Sequence, residues 1–267
     1  MEKKDFNDLK TAVALLEDTG IGMRLMNLIG YPIEATINAL PRIIGRPIGK
    51  AVSNTVGQLF YVALCTMNKK KCDRPFRFIH EAMVVISGAI GGFFSLPGLV
   101  VELPISTALM LRSIADIARS EGEDISSVDT QLACITVFGL GGRARGDNAA
   151  ETAYYAVRAA LARTLSKAAE YIAERGIMEE SAPIAIRMMA NLASRFGLFV
   201  TDKMAAEMVP ILGGFGGAAI NLLFIKHFQA TARGHFTVRR LERKYGGEIV
   251  KEEYERVLRE LRDGVKQ

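Results

Sequence analysis

The chain has 267 residues, of which 49% are hydrophobic and 24% charged, which excludes a disordered protein and suffices for one large domain or two small ones. The 34 basic and 29 acidic residues give a net charge of +5, an excess that indicates a polyanionic partner only where the cations cluster. The three cysteines, Cys65, Cys72 and Cys134, form no CxxC pair, so free thiols in a reducing compartment are expected rather than a disulfide framework.

The N-terminal stretch MEKKDFNDLKTAVALLEDTG is acidic and amphipathic. It lacks both the apolar h-region and the small-residue cleavage site of a secretory signal peptide. We therefore expect a cytoplasmic protein, either free or peripheral on the inner face of the membrane. Residues 1–75 are expected to form an N-terminal helical extension of a single domain that covers residues 1–267.

Three groups of cations are candidates for a membrane- or anion-binding surface. PRIIGRPIGK repeats a cation every fourth residue opposite isoleucines, and NKKKCDRPFR and RGHFTVRRLERK each carry five cations. Such groups attract lipid headgroups or other polyanions, although any one of them also fits an ordinary solvated face. Nucleic acid is not expected, because interleaved aromatic residues and a recognised binding motif are both lacking. The residues singled out are Arg42, Arg46, Lys50, Lys69, Lys70, Lys71, Arg74, Arg77, Arg239, Arg240 and Arg243.

The segment MVVISGAIGGFFSLPGLVVELPISTALML, residues 83–111, is almost uncharged. Glu102 is its only formally charged residue, and Gly88 and Gly92 form a Gly-x-x-x-Gly pair in its first arm. Near its middle, Pro97 and Gly98 interrupt the apolar run. This pattern predicts a helical hairpin with a break at the Ser-Leu-Pro-Gly sequence.

A second segment of similar design, MVPILGGFGGAAINLLFI, covers residues 208–225. It has no charge, a Gly-x-x-x-Gly pair at Gly213 and Gly217, and one amide, Asn221, which is expected to satisfy backbone or neighbouring polar groups. It predicts a second hairpin, built as a close-packed helical turn on the two glycines. A dinucleotide-binding loop at GFGGAA is disfavoured, because Pro210 would interrupt the strand that must precede it.

Two interpretations of these segments remain open. Each arm has about a dozen residues, or ~18 Å of helix, which is too short to cross a hydrocarbon core of about 30 Å. Cations at both ends of each segment also disfavour a single crossing. Either the glycines let helices approach closely inside a soluble core, or the hairpins lie in or on a membrane.

The remaining patterns are also helical. STALMLRSIADIARSEG is expected to end at Gly122, and Ser126 with Asp129 predicts a capping box for the next helix. ETAYYAVRAALARTLSKAAEYIAERG carries one apolar stripe, and residues 248–267 form a charged C-terminal helix with apolar residues along one side. Because no stretch alternates convincingly with period two, we predict an all-α fold with two Gly/Pro-broken helical hairpins.

Candidates for catalysis and metal binding are few. HEAMV lacks the second histidine of a zinc helix, and the three histidines are expected at a helix surface or an aqueous rim, so no metal or cofactor is predicted. Glu102, Asp116 and Asp202 are the acids to consider, since a buried acid can be catalytic. For Asp116 the simplest arrangement is a surface ion pair with Arg112 four residues earlier.

The runs GGFFSLPGLVVELPISTALMLRSIADIARSEGED, AYYAVRAALARTLSKAAEYIA and VPILGGFGGAAINLLFIKHFQATARGHFTVRRLERKYG resemble the EcsC family of bacterial proteins. The resemblance covers roughly residues 80–246. It is most specific in the last run, with Pro-x-x-Gly-Gly, Ala-Ala-Ile-Asn and Phe-x-x-Arg-Arg-Leu. The family takes its name from a gene beside those of an ABC exporter. The resemblance therefore implies a helical protein that works near a membrane transporter, and it implies no enzymatic activity.

Taken together, these patterns favour a non-enzymatic, membrane-proximal protein that binds lipid or a membrane partner such as a transporter. The partner surface would be an anionic membrane or a membrane protein. One alternative is a hydrolase-type enzyme whose carboxylates line a pocket between the hairpins. Another is an adaptor that docks a protein partner through the helix at residues 248–267, in which case removal of that helix would leave folding intact.

Overall fold

The computed structural model describes residues 1–17, 77–93, 95–141, 154–159 and 213–264. These ranges are helical apart from short turns and contain no strand, which confirms the all-α prediction. Residues 154–159 are a further short helical segment, and the predicted helix around them otherwise lies outside the described ranges. The longer helices are α1 (Lys3–Glu17), α2 (Arg77–Phe93), α3 (Ser95–Ser120), α4 (Val128–Gly141), α5 (Gly213–Tyr245) and α6 (Gly247–Gly264).

Helices α2 and α3 form a hairpin, because only Phe94 separates them and they pack against each other. One helix thus ends at Phe93 and the next begins at Ser95, so the Ser-Leu-Pro-Gly sequence lies inside α3 and is not the break. Pro97 and Gly98 belong to the first turn of α3, where the missing N–H of proline has no intrahelical acceptor to lose. Gly88 and Gly92 both lie inside α2.

Helix α5 is a single element of 33 residues, about 50 Å long. Gly213 and Gly217 lie in its first two turns, so the turn predicted at these glycines is instead part of a continuous helix. Ile220, Phe224 and Phe228 are at most 2% exposed, and α2 and α3 both pack against α5. Protein therefore covers this part of the second apolar segment.

The C-terminal half of α5 forms a core with both terminal helices. Leu9 and Val13 of α1 pack with Leu241 of α5 and with Tyr254 and Val257 of α6 in one buried cluster. The apolar side of α6 is thus already used inside the protein. Removal of residues 248–267 would expose this cluster, so this packing favours loss of stability over the expectation that folding survives without the C-terminal helix.

Glycine ends both α3 and α5. Gly122 has φ 83°, and the N–H groups of Gly122 and Glu123 donate to the carbonyls of Arg119 and Ala118, which is the Schellman pattern and confirms the predicted stop. Gly246 has φ 91° and ends α5 in the same left-handed conformation. Here the left-handed backbone requires glycine, because a Cβ would be strained.

The N-cap of α4 lies one residue later than predicted. The hydroxyl of Ser127 accepts the backbone N–H of Thr130 at 3.2 Å. Ser126 instead donates its backbone N–H and its hydroxyl to the Asp124 carboxylate, at 2.9 Å and 2.6 Å. Because Ser126 is hydrogen-bonded to Asp124, it does not cap α4, and Ser127 is the N-cap residue.

None of the described helices combines the length and the apolar character that crossing a membrane requires.

Gly234 of α5 sets the approach of α1. A Cβ at this position would lie 2.6 Å from Cγ of Leu16 and 3.0 Å from the backbone oxygen of Ala12. The second contact is to backbone, which cannot move aside as a side-chain end can. The absence of a side chain at Gly234 therefore lets the two helices pack at this distance.

We expect Gly234→Ala to lower the free energy of unfolding by about 1 to 3 kcal/mol, because overpacking exceeds the gain in helix propensity. Urea denaturation of the full chain measures the effect. Gly247→Ala is the matched control, since a Cβ at Gly247 meets nothing within 4 Å. Equal unfolding midpoints for the two variants would contradict the assigned close contact.

Candidate functional site

An exposed apolar stripe runs along α2. Ile79, Met83 and Ile86 are 53%, 47% and 59% exposed, and their spacing of four and three residues places them on one face of the helix. Ala82 on the same face is also exposed. We call these four residues the α2 stripe. The sequence marked this segment as apolar but did not show which of its faces the other described helices leave uncovered.

The neighbouring helix extends the exposed apolar surface. Ile105 of α3 is 48% exposed. Because the hairpin reverses at residue 94, Ile105 lies at the level of Met83. Each helix of the hairpin therefore exposes at least one bulky apolar side chain.

The opposite side of α2 is fixed to the protein. His80 and Val84 are buried, and Asn221 of α5 donates its side-chain N–H to the carbonyl of Val84 at 3.1 Å. On α3, Ser113 accepts a hydrogen bond from Gln229 of α5 at 2.9 Å. Buried hydrogen bonds of this kind contribute about 1 kcal/mol each and specify one orientation of the hairpin. The α2 stripe consequently faces outward.

Most of the cations predicted to bind a membrane or an anion lie outside the described residues, namely Arg42, Arg46, Lys50, Lys69, Lys70, Lys71 and Arg74. Arg77 is the first residue of α2. The run NKKKCDRPFR thus leads directly into the helix that carries the α2 stripe.

The predicted anion-binding arginines of α5 lie against carboxylates of the same protein. Arg239 contacts Glu123 at 2.9 Å and Asp129 at 2.6 Å, and Arg240 contacts Asp8 at 2.7 Å. Arg243 also pairs with Glu123. Together with the neighbouring Lys244, these arginines form one network of ion pairs. Its acidic members are Glu2, Asp5, Asp8, Glu121, Glu123 and Asp129.

The network contains more carboxylates than cations. Hydrogen bonds from Lys244 and Tyr245 lower the pKa of Asp5 to about 2, so this carboxylate stays ionised near neutral pH. Although burial opposes ionisation of Glu123, the hydrogen bond and charge of Arg239 lower its pKa. An external anion would have to displace these carboxylates. Anion binding at Arg239, Arg240 and Arg243 stays a prediction, and the geometry favours a structural role for them.

A second polar cluster attaches the segment 154–159 to α5. Arg158 forms a bidentate pair with Glu242, with both nitrogen–oxygen distances at 2.7 Å. The hydroxyl of Tyr155 donates to the same carboxylate at 3.3 Å. The hydroxyl of Tyr154 lies 2.9 Å from Nδ1 of His235. Segment 154–159 is therefore held by charged and neutral hydrogen bonds together.

Aromatic contacts and a hydrogen bond connect this cluster to α6 and α1. The ring of Tyr154 stacks on that of Tyr254 in α6, with centroids 5.4 Å apart. The Tyr254 hydroxyl donates to Glu17 of α1 at 2.9 Å. One connected set of side chains thus joins segment 154–159 to α5, α6 and α1.

Two of the three histidines are buried, contrary to the expected surface or aqueous rim. His235 is 2% exposed and His80 is 5% exposed. His235 follows Phe228 and Ala232 along the buried side of α5, and the Tyr154 hydroxyl makes its burial tolerable. Among the described residues, no three His, Cys, Asp or Glu side chains are grouped as metal binding requires.

His235 is neutral at physiological pH. Burial, together with the positive charges of Arg158 and Arg239, holds its pKa well below the ordinary value of 6.5. Its Nε2 is buried and meets no hydrogen-bond partner among the described residues. A proton added to this ring would therefore be poorly solvated and would lie near two cations.

The acids considered for catalysis do not converge within the described residues. Asp116 is 1% exposed and pairs with Arg119, so it is not the surface partner that its spacing from Arg112 predicted. Glu102 and Asp116 both belong to α3, where their positions are about 21 Å apart along the helix axis. Asp202 lies outside the described residues. Glu102 and Asp116 are too far apart along α3 to line one pocket.

The depressed pKa of His235 predicts a pH-dependent stability. The unfolded chain binds a proton below about pH 6.5 that the folded chain rejects, so stability is retained above this pH and lost as pH falls. We expect a loss of up to about 1.4 kcal/mol per pH unit between pH 6.5 and 5. Urea unfolding at several pH values measures this slope.

His235→Gln should flatten that slope even if it lowers stability at every pH. His227→Gln, on the same helix at a partly exposed position, should leave the slope unchanged. A His235→Gln variant with the full slope would show that another group causes it.

The sequence profile of the EcsC protein family matches residues 32–241. The match begins well before residue 80, where the resemblance in the apolar segments started. No curated protein and no solved structure matches the chain. Because the family match covers most of the sequence, the chain belongs to the EcsC protein family.

Proposed function

We propose that the protein is a non-catalytic, membrane-proximal protein that binds an anionic bilayer surface through the α2 stripe. The observation that carries the proposal is the uncharged face formed by Ile79, Met83 and Ile86, each about half exposed on one side of a helix. The cations of NKKKCDRPFR precede this helix and supply the complementary charge. An apolar helix face beside a basic run is the pattern of proteins that bind the membrane interface.

The α2 stripe carries a free-energy penalty in water. Together with Ile105 its bulky side chains expose on the order of 400 Å² of largely apolar surface, a size that in soluble proteins usually marks an interaction site. The opposite face of α2 is held on α5, so the stripe has no route into the core by rotation of the helix. The described helices do not cover it, and an external apolar phase that did so would remove this penalty.

A bilayer fits this surface better than a second copy of the chain. A stable protein–protein interface needs about 800 Å² on each partner, which is about twice what these side chains offer. A bilayer sets no such minimum, because headgroup attraction adds about 1 kcal/mol for each nearby cation. A membrane partner such as a transporter would then meet a protein already held at the lipid surface.

Flotation with liposomes that contain anionic lipid tests the proposal. We expect the wild-type protein to float, and Ile79→Ser combined with Ile86→Ser to lower the partition at least tenfold. Each substitution removes about 1 kcal/mol or more of apolar transfer energy. The matched control is Ile249→Ser combined with Leu261→Ser, since these α6 side chains are 53% and 43% exposed but belong to no such stripe.

The control should float like the wild type, and binding should fall with added salt and with neutral lipid. If the wild-type protein stays in solution with anionic liposomes, the proposal is wrong. It is equally wrong if both double variants lose binding to the same extent, because general surface hydrophobicity would then explain the result.

A further inference from the structure

We infer that α2 lies sideways in the plane of the membrane interface, with the α2 stripe immersed along its length, and does not enter the bilayer tip-first. This inference rests on the proposed function and specifies which surface meets the lipid. Tip-first entry is the arrangement that a helical hairpin with an uncharged end would suggest from sequence alone.

The first argument is that α2 has an apolar face. Ile79, Ala82, Met83 and Ile86 follow one another on a single face, and no charged residue lies on that face between them. The other side is fixed to α5 through the contact of Asn221 with Val84. A helix attached along one side presents only its opposite side to an external phase.

The second argument compares depths. If the hairpin entered tip-first at residue 94, Ile79 would lie about 22 Å from the tip, beyond a leaflet of about 15 Å of hydrocarbon. Glu102 would lie only about 12 Å from the tip, within that hydrocarbon. Tip-first entry thus leaves an exposed apolar side chain in water and places a carboxylate in lipid, which is unfavourable on both counts.

Sideways docking removes the first of these penalties. Ile79, Met83 and Ile86 then reach the same depth, about 5 to 10 Å into the headgroup and acyl boundary. Arg77 begins α2, so in this orientation the end of the basic run comes to the height of the lipid phosphates.

Depth measurements with an environment-sensitive fluorophore distinguish the two orientations. Single cysteines replace Ile79, Met83, Ile86 or, as the water-exposed control, Ile249, in full-length protein in which Cys65 and Cys72 are serine. Cys134 is retained, because it is buried and burial raises the pKa of its thiol, which suppresses labelling. Each labelled protein is bound to anionic vesicles that carry quenchers at shallow or deep positions.

We expect the three α2 labels to report the same depth within about 3 Å and the label at Ile249 to stay in water. Tip-first entry predicts a gradient of about 10 Å from Ile86 to Ile79, and that result would overturn the inference while the proposed function stands. If the labelled proteins float but none of the α2 labels is quenched, the stripe does not contact lipid and the inference also fails. Loss of flotation by the wild-type protein would instead refute the proposed function.

A label-free comparison guards against effects of the fluorophore. Ile79→Ser and Ile86→Ser are made separately, and the partition of each onto anionic vesicles is measured. Sideways docking predicts losses within about threefold of each other, because both side chains are similarly exposed and equally immersed. A loss confined to Ile86→Ser would support tip-first entry, since only that position would then reach hydrocarbon.

Discussion

Helix α5 is the element on which the described fold depends, because α1, α2, α3, α4 and α6 all pack against it. Its length of about 50 Å lets its two halves bury different neighbours. The N-terminal half carries the α2–α3 hairpin, and the C-terminal half carries both terminal helices. The sequence suggested a break at Gly213 or Gly217. Both glycines lie at the beginning of this helix and do not interrupt it.

The polar residues of α5 determine which neighbour docks at each level. Apolar packing alone tolerates sliding and rotation, whereas a buried polar side chain is stable only against its own partner. Near the start of α5, Asn221 contacts a backbone carbonyl of α2, and Gln229 contacts a serine of α3. Further along, Arg239 contacts an aspartate of α4 and Arg240 contacts an aspartate of α1. Glu242 contacts an arginine of segment 154–159. The order of these contacts along α5 matches each neighbour to one position.

Local chemistry explains what the sequence could predict. The all-α fold and the stop at Gly122 depend on periodicity and on one residue's conformational freedom, both of which are readable within a few positions. The burial of His235 depends on Tyr154, which is distant in sequence, and the arginines of α5 depend on acids of α1, of the α3–α4 turn and of α4. In the same way, two apolar segments of similar composition differ in what covers them. Pairing between distant segments decides these features, and spacing alone does not encode it.

The contact of α1 with α5 and α6 has a consequence for the order in which the chain folds. Arg240 forms ion pairs with Asp5 and Asp8, which precede it in the sequence by 235 and 232 positions. Leu9 and Val13 are buried by side chains of α5 and α6. Such long loops are closed late and slowly. During synthesis α1 thus emerges long before α5 and α6, the helices that bury its apolar side, and for that time this side is a natural binding site for chaperones.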